Sequence, residues 1–373
     1  QMSLNGITVN STFYAVYAAG NVTINGGKFT SSSHNGNGNW AYTIKAAEGG
    51  NLIINNAEVY GVQGCISGNN ASTVTLNNVH AEARNIEGYT GNKAFRAVYS
   101  SGSTVTTING GTYLSDNTMC VNVGDAYDVE APNGTTAPIG KIIIKSGTFS
   151  DPSALHYLAE GADVKIEMTA DNEIASEVSV SQKAEINLND HKLKVSAYFS
   201  TIGSGSLAIS NGSIECVDPS RNGTNPQIRS YGSSLMSFDD VEMTSNGSAV
   251  YVGDKCNFTI KKSTIKAQVF GISTNASDSK QNPTINIESC TITGSDPVFV
   301  NIPCSLTVKD SNLNGTMHGA VVRGGTATFT DCHISLNYPD DDANVMANYF
   351  DDKSKNWGQG NTVNLAAMTI GNK

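Results

Sequence analysis

Apolar and polar residues alternate along this chain in short runs, and the runs end on Asn, Asp or Gly. In NVTINGGKFT (21–30), Val22, Ile24 and Phe29 are apolar, Thr23 is polar, and Asn25-Gly26-Gly27 interrupt the alternation. A period of two is that of a strand with one buried face. Asn and Gly tolerate the left-handed backbone of a sharp bend. The signature returns at 104–113 as TVTTINGGTY, and in weaker form at 140–149 (GKIIIKSGTF) and 206–215 (SLAISNGSIE). The pattern therefore predicts strand, bend, strand, many times over.

The second apolar position of each run can be followed through Leu4, Ile24, Ile54, Leu76, Ile108, Ile144, Ile166, Leu188, Ile209, Phe238, Ile260, Ile287, Val308, Phe329 and Leu365. Most steps are 20–22 residues, and the longer ones read as inserted loops. A further strand precedes each run: YAVYAAG (14–20), RAVYSSG (96–102), SAVYVGD (248–254) and GAVVRGG (319–325). Three short strands per unit, bent alike each time, describe one coil of a solenoid whose apolar faces are buried only by stacking. A leucine-rich repeat would need a Leu-x-x-Leu-x-Leu frame, and a propeller blade about 40 residues. The expected fold is all-β: a right-handed parallel β-helix of about 15 coils, roughly 70 Å long at the strand spacing.

The coils resemble those of the pectin-lyase-like superfamily and, more narrowly, adhesin-like surface proteins of gut bacteria, which use TINGGTF-type coils. KSGTFSDPSALHYLAEGADVKI (145–166) followed by AEINLNDHKLKV (184–195) is similar to a junction between two arrays in such proteins, with Asn189-Asp190-His191 in place of Asn-Gly-His. The resemblance implies two β-helical segments, 1–160 and 161–373. A short connecting helix is expected at PSALHYLAEG (152–161), with Pro in its first turn and Gly after its end. It also implies an extracellular or cell-surface location.

Composition narrows the function. The net charge is −10 and the pI about 5.0, which argues against nucleic acid and against anionic membrane surfaces. No apolar run approaches a membrane span, so no membrane insertion is expected. The first residues lack a secretory leader, and QMSLNGITV reads as the middle of a repeat, so a mature or shortened chain is expected. Seven Cys occur, none in CxxC spacing. Cys290 and Cys332 share a column two coils apart, as do Cys256 and Cys304, and Cys65 and Cys120 occupy the Ala position of AVY. Two coils is roughly 9.6 Å, too far for a disulfide, so free core thiols are expected.

Candidate chemistry is sparse. The outward column beside the anchors (Thr23, Thr75, Thr107, Lys165, Asn187, Thr259 and their equivalents) reads as a Thr-rich structural ladder without carboxylates. Asp239-Asp240, His318 and Arg323 have the order of a polygalacturonase-like set, but Asp239-Asp240 falls where other coils bend, and His318 lies three coils further on. Tyr17, Tyr99 and Tyr251 repeat in AVY and should point outward. Loops at 31–40, 82–93, 216–227 and 337–359 all leave after the third strand and should rise on one side. They carry Trp40, Arg84, Tyr89, Arg221, Tyr349 and Trp357, aromatic and polar groups suited to sugar rings; the same aromatics would equally pin the loops to the coils. Asp340, Asp341 and Asp342 form an acidic run that could hold calcium or simply be solvated; no other cofactor is implied.

These features favour a non-catalytic, adhesin-like surface protein, expected to be a monomer, binding a polysaccharide or a host or plant glycan through its loops. A polysaccharide lyase or glycoside hydrolase with an unfamiliar site, and a purely structural spacer, are the alternatives.

Overall fold

The computed structural model describes residues 1–32, 42–47, 49–62, 64–84, 95–116, 119–124, 140–217, 225–274 and 281–336, and beyond these the backbone strands Val345–Ala347, Thr362–Ala366 and Thr369–Asn372. The chain is an all-β parallel β-helix with two compact units, Gln1–Asn172 and Glu173–Lys373; the sequence reading placed the division at 160/161.

In the first unit a coil contributes three strands, the two that flank the bend running together as Val105–Ser115 and Lys141–Phe149 in two coils, and the strands of successive coils pair in parallel. Asn21–Asn25 pairs with Met2–Asn5 and Asn51–Asn55, Lys28–Ser31 with Thr8–Ser11 and Glu58–Gly61, and Val16–Ala18 with Tyr42–Ala46. The register aligns Leu4, Ile24, Ile54, Leu76, Ile108 and Ile144. Ile24, Ile54, Leu76, Ile108 and Ile144 are fully buried, and Phe29, Val59, Ala81, Tyr113 and Phe149 form a second inward column after the bend. Tyr113 stacks on Phe149 at 5.3 Å, and its hydroxyl donates to the Gly110 carbonyl at 3.0 Å, which removes the cost of burying a phenol.

The second unit repeats the arrangement. Ile186, Ile209, Phe238, Ile260, Ile287, Val308, Phe329 and Leu365 are aligned. Its third column runs Val178–Val180, Phe199–Thr201, Ile228–Ser230, Val250–Val252, Phe270–Ser273, Asp296–Val300, Ala320–Val322 and Val345–Ala347.

At the bends, residues in the left-handed region hand their amide hydrogens to the next coil. Gly26 (φ +67°) donates to the Asn55 carbonyl at 2.7 Å, Asn56 (φ +51°) to Asn77 at 2.9 Å, Lys262 (φ +47°) to Glu288 at 3.0 Å, and Asp310 (φ +49°) to Thr330 at 3.0 Å. At Gly27 the packing is closer still: a Cβ would lie 2.2 Å from the Ile7 carbonyl oxygen of the preceding coil.

Five expectations need correction. Ile166 is aligned with Phe149, and the residue beside Ile144 is Leu158. Ile186, not Leu188, lies beside Ile209, because Asn189 (φ +49°) and Asp190 (φ +63°) place the bend after Leu188. The outward column therefore contains Glu185, beside Ala208, and is not free of carboxylates. The helix at 152–161 is a 3-10 turn, Pro152–Tyr157, capped by Asp151 accepting from Ser153 N at 2.9 Å. Asp151 also accepts from Cys120 N at 2.6 Å. From Leu158 the chain is a strand, Leu158–Glu167, with Gly161 (φ +75°) in the bulge between its two paired stretches. Finally, Tyr99 is buried, stacked on Tyr42 at 5.8 Å under Arg96, while Tyr17 is exposed.

All seven cysteines are free and buried. The register places Ala97 between Cys65 and Cys120, Pro283 between Cys256 and Cys304, and Ser311 between Cys290 and Cys332. Burial pushes the Cys216 and Cys304 thiols up to about 12.

Along the outer edge of the first bend runs a ladder of amides: Asn25 donates to Asn5 (2.8 Å), Asn55 to Asn25 (2.8 Å), Asn77 to Asn55 (2.7 Å) and Asn109 to Asn77 (2.8 Å). Substituting Asn55→Ala removes a donor and an acceptor at once and should cost about 1 kcal/mol in equilibrium denaturation. A thiol reagent should find no reactive cysteine in the native chain and all seven after denaturation.

Candidate functional site

Alternation along the strands after the bend puts every second side chain outside. Phe29, Val59 and Ala81 point in, so Lys28 and Thr30, Glu58 and Tyr60, and His80 and Glu82 point out. Parallel, in-register pairing then stacks residues distant in sequence: Lys28 beside Glu58 beside His80, and Thr30 beside Tyr60 beside Glu82. Arg84 follows on the last of these strands.

The result is one connected polar and aromatic cluster around Tyr60. Its hydroxyl donates to Glu58 Oε2 at 3.2 Å, and its ring lies 5.6 Å from that of His80. Lys28 Nζ is 4.7 Å and Arg84 Cζ 6.0 Å from the Tyr60 ring centre, within or at the limit of cation–π range. Arg84 Nε donates to Glu82 Oε1 at 2.8 Å, and His80 Nε2 is 3.6 Å from Glu82 Oε2. The Arg84 hydrogen bond holds the Glu82 carboxyl below the usual carboxylate range, against a smaller opposing effect of burial. Burial, then the hydrogen bond to Glu58 and the nearby carboxylates, push the Tyr60 phenol up. Chemically the cluster offers an aromatic ring beside ionised acceptors and cationic donors on a rigid sheet surface.

Of the loop residues named from sequence for a sugar or calcium site, Arg84 alone lies among the described residues, and it belongs to this cluster. Trp40, Tyr89, Arg221, Tyr349, Trp357, Asp340, Asp341 and Asp342 lie outside them. The strands preceding the loops do end in register: Ser31 beside Gly61 beside Ala83 in the first unit, and Gly315 beside Leu336 in the second. Sequence reading missed Tyr60 and Glu82 as partners of Arg84, and Glu58 as the partner of Tyr60; the signal was the common offset of Tyr60 and Glu82 from the bend in successive coils.

In the second unit, His318 Nδ1 meets Asp296 Oδ1 at 2.5 Å, and Ser295 Oγ donates to Asp296 Oδ2 at 3.0 Å. Asp296 is buried and His318 half-buried. The acid beside His318 is thus the residue 22 positions earlier, while Asp240 (φ +57°) serves the bend as expected. Among the described residues no group of three or more His, Cys, Asp and Glu side chains could hold a metal ion, and no helix is long and apolar enough to cross a membrane.

No family model, curated protein or solved structure matches the chain.

Because the folded Glu82 titrates below its unfolded value, its contribution to stability is present above the unfolded pKa and lost as the pH falls through the folded one. Arg84→Gln should therefore raise the Glu82 carboxyl midpoint in an NMR titration and weaken this part of the acid dependence.

Proposed function

We propose that this chain is a non-catalytic, adhesin-like β-helix of the extracellular space or cell surface that binds carbohydrate on its outer face. The observation that carries the reading is the Tyr60 cluster. A ring half-exposed on a rigid parallel sheet is flanked by Glu58, Glu82, Lys28, His80 and Arg84. A sugar presents a flat C–H face to an aromatic ring and hydroxyls that both donate and accept. Here the acceptors are ionised carboxylates and the donors cations, so both halves of each hydroxyl have a partner. The coil array, with its TINGGTY-type repeats, supports the adhesin-like part of the reading, and the acidic balance of the chain fits a glycan better than a nucleic acid. In sequence, the stretches that carry Trp40 and Tyr89 directly follow strands that carry the cluster, Lys28–Ser31 and Val79–Ala83.

A second reading, a polysaccharide lyase or hydrolase, has one specific observation in its favour, the Asp296–His318 pair, in which a carboxylate orients an imidazole as in general acid–base sites.

Plant and mucin polysaccharides should be screened by glycan array and calorimetry, with product assays for unsaturated ends and new reducing ends on the same panel. Binding is expected without product, and Tyr60→Ala should weaken it about tenfold, roughly 1.4 kcal/mol, with the strand circular dichroism unchanged. Silence across both panels would sink the reading, and product formation lost in His318→Gln would replace it with the enzymatic one.

A further inference from the structure

We propose that the outer face of the third strand column in the second unit is a separate binding site for an anionic saccharide, centred on Arg229. The ligand class takes carbohydrate from the reading above; the location and the demand for an anion do not depend on it.

Arg229 lies on the strand Ile228–Ser230 between buried Ile228 and buried Ser230, so it points out, in register with Ser200 on one side and Tyr251 on the other. Its guanidinium is held in place from several directions. Cζ sits 3.7 Å from the centre of the Tyr198 ring, Nε donates to the Pro226 carbonyl at 2.8 Å, and Nη1 reaches the Tyr231 hydroxyl at 3.5 Å. Those contacts engage two of the five N–H groups of a guanidinium. None of the three partners is anionic, and among the described residues no carboxylate pairs with Arg229. Asp254, just after the strand Val250–Val252, accepts from Gly232 N at 2.6 Å. In a chain with 33 acidic and 23 basic residues, a half-buried, immobilised guanidinium lacking a counter-ion is an unusual expense of desolvation and side-chain entropy. At the Tyr60 cluster, by contrast, Arg84 is neutralised by Glu82.

The surroundings supply the rest of a sugar site. The Tyr231 and Tyr251 rings lie 5.4 Å apart at 44° beside Arg229. A Cβ at position 253 would meet Tyr251 Cε1 and the hydroxyl at 2.7 Å, so the absence of a side chain at Gly253 lets the Tyr251 ring lie along the sheet surface. Rings that take a pyranose face, next to a fixed fork that takes a planar or tetrahedral acid group, match a sugar bearing a carboxylate or a sulfate. An acidic peptide satisfies the fork but gives the rings no matching face.

The test uses the whole chain and four probes at fixed ionic strength: dextran sulfate oligomers, hyaluronan oligomers, uncharged dextran oligomers and poly-glutamate, measured by calorimetry. At least one anionic oligosaccharide should bind, and plain dextran and poly-glutamate should bind at least about tenfold more weakly. The sulfate and carboxylate arms tell which acid group is preferred. Arg229→Gln should lose at least about tenfold in affinity for the anionic oligosaccharide. Arg229→Lys, which keeps the charge and guards against a folding failure, should lose several-fold because an ammonium cannot form the fork. Tyr60→Ala, run alongside, should keep this binding. Equal binding of poly-glutamate, unchanged affinity in either Arg229 variant, or loss in Tyr60→Ala with retention in Arg229→Gln would overturn the proposal, the last while leaving the Tyr60 site standing. Absence of any binding by the wild-type chain to these probes would overturn it too, and the neutral and mucin glycans of the earlier panel would then decide the Tyr60 site alone.

Discussion

Each coil turns on residues held in the left-handed region, and the amide hydrogens released there are taken up by the next coil. An L-residue in that conformation costs about 1–2 kcal/mol, less for Gly, Asn or Asp. An unpaired amide costs a similar amount. The bend is stable because the second penalty is avoided: Gly26, Asn56, Lys262 and Asp310 all donate across to the following rung. Lys262 and Ser289 show that the stack imposes the conformation even on residues that do not favour it. Once the bends coincide, everything else follows in register. The anchor column lies inside, its neighbours lie outside, and each coil adds its side chains directly above those of the coil before.

The two units exploit this register differently on the outer edge of the same bend. In the first, Asn5, Asn25, Asn55, Asn77 and Asn109 form a neutral ladder in which each amide donates to its predecessor. In the second, the equivalent positions become Ser210, Asp239, Lys261, Glu288 and Lys309, and Glu288 lies 3.1 Å from Lys261 and 3.9 Å from Lys309. Exposed ion pairs contribute little and are screened by salt, whereas amide ladders are indifferent to it. Both arrangements satisfy the constraint that side chains about one strand spacing apart must not repel, which like charges at successive coils would violate.

Much of the fold was legible because its cause is local. Val22, Ile24 and Phe29 inside, Thr23 outside and a bend at Asn25-Gly26-Gly27 follow from alternation and backbone preference alone, and the same logic placed the cysteines two coils apart. The errors arose where alternation permits two phases. In KAEINL (183–188), Ile186 and Leu188 both point inward, and both are buried. Only the position of the bend, set by Asn189 and Asp190, decides which one joins the column. The 3-10 turn at Pro152–Tyr157 was likewise visible from the Pro in its first turn, but its end was not, since the pull of the strand Lys141–Phe149 on Leu158 is a tertiary effect. The candidate sites were less legible for the same reason. Arg84 could be singled out as a loop residue, yet Tyr60 lies in a different coil from Arg84 and Glu82, and only the register brings Glu82 beside it.

That dependence on register also explains where binding chemistry can arise in such a fold. A repeat that is perfect along its length presents identical columns outside, which make ladders and not sites. A site requires that successive coils differ at one outward column while agreeing at the inward one. Lys28, Glu58 and His80 differ above Phe29, Val59 and Ala81, which agree in being apolar. Ser200, Arg229 and Tyr251 differ between Phe199, Ile228 and Val250, which again agree. The inward column holds the frame with a precision of a fraction of a strand spacing, so the outward one is free to vary at little cost to stability. A substitution at a bend, by contrast, shifts the inward and outward columns together. Changes that leave the bends alone can therefore retune the outer face coil by coil, and the chemistry of this chain is to be sought in the outward residues that break the repeat.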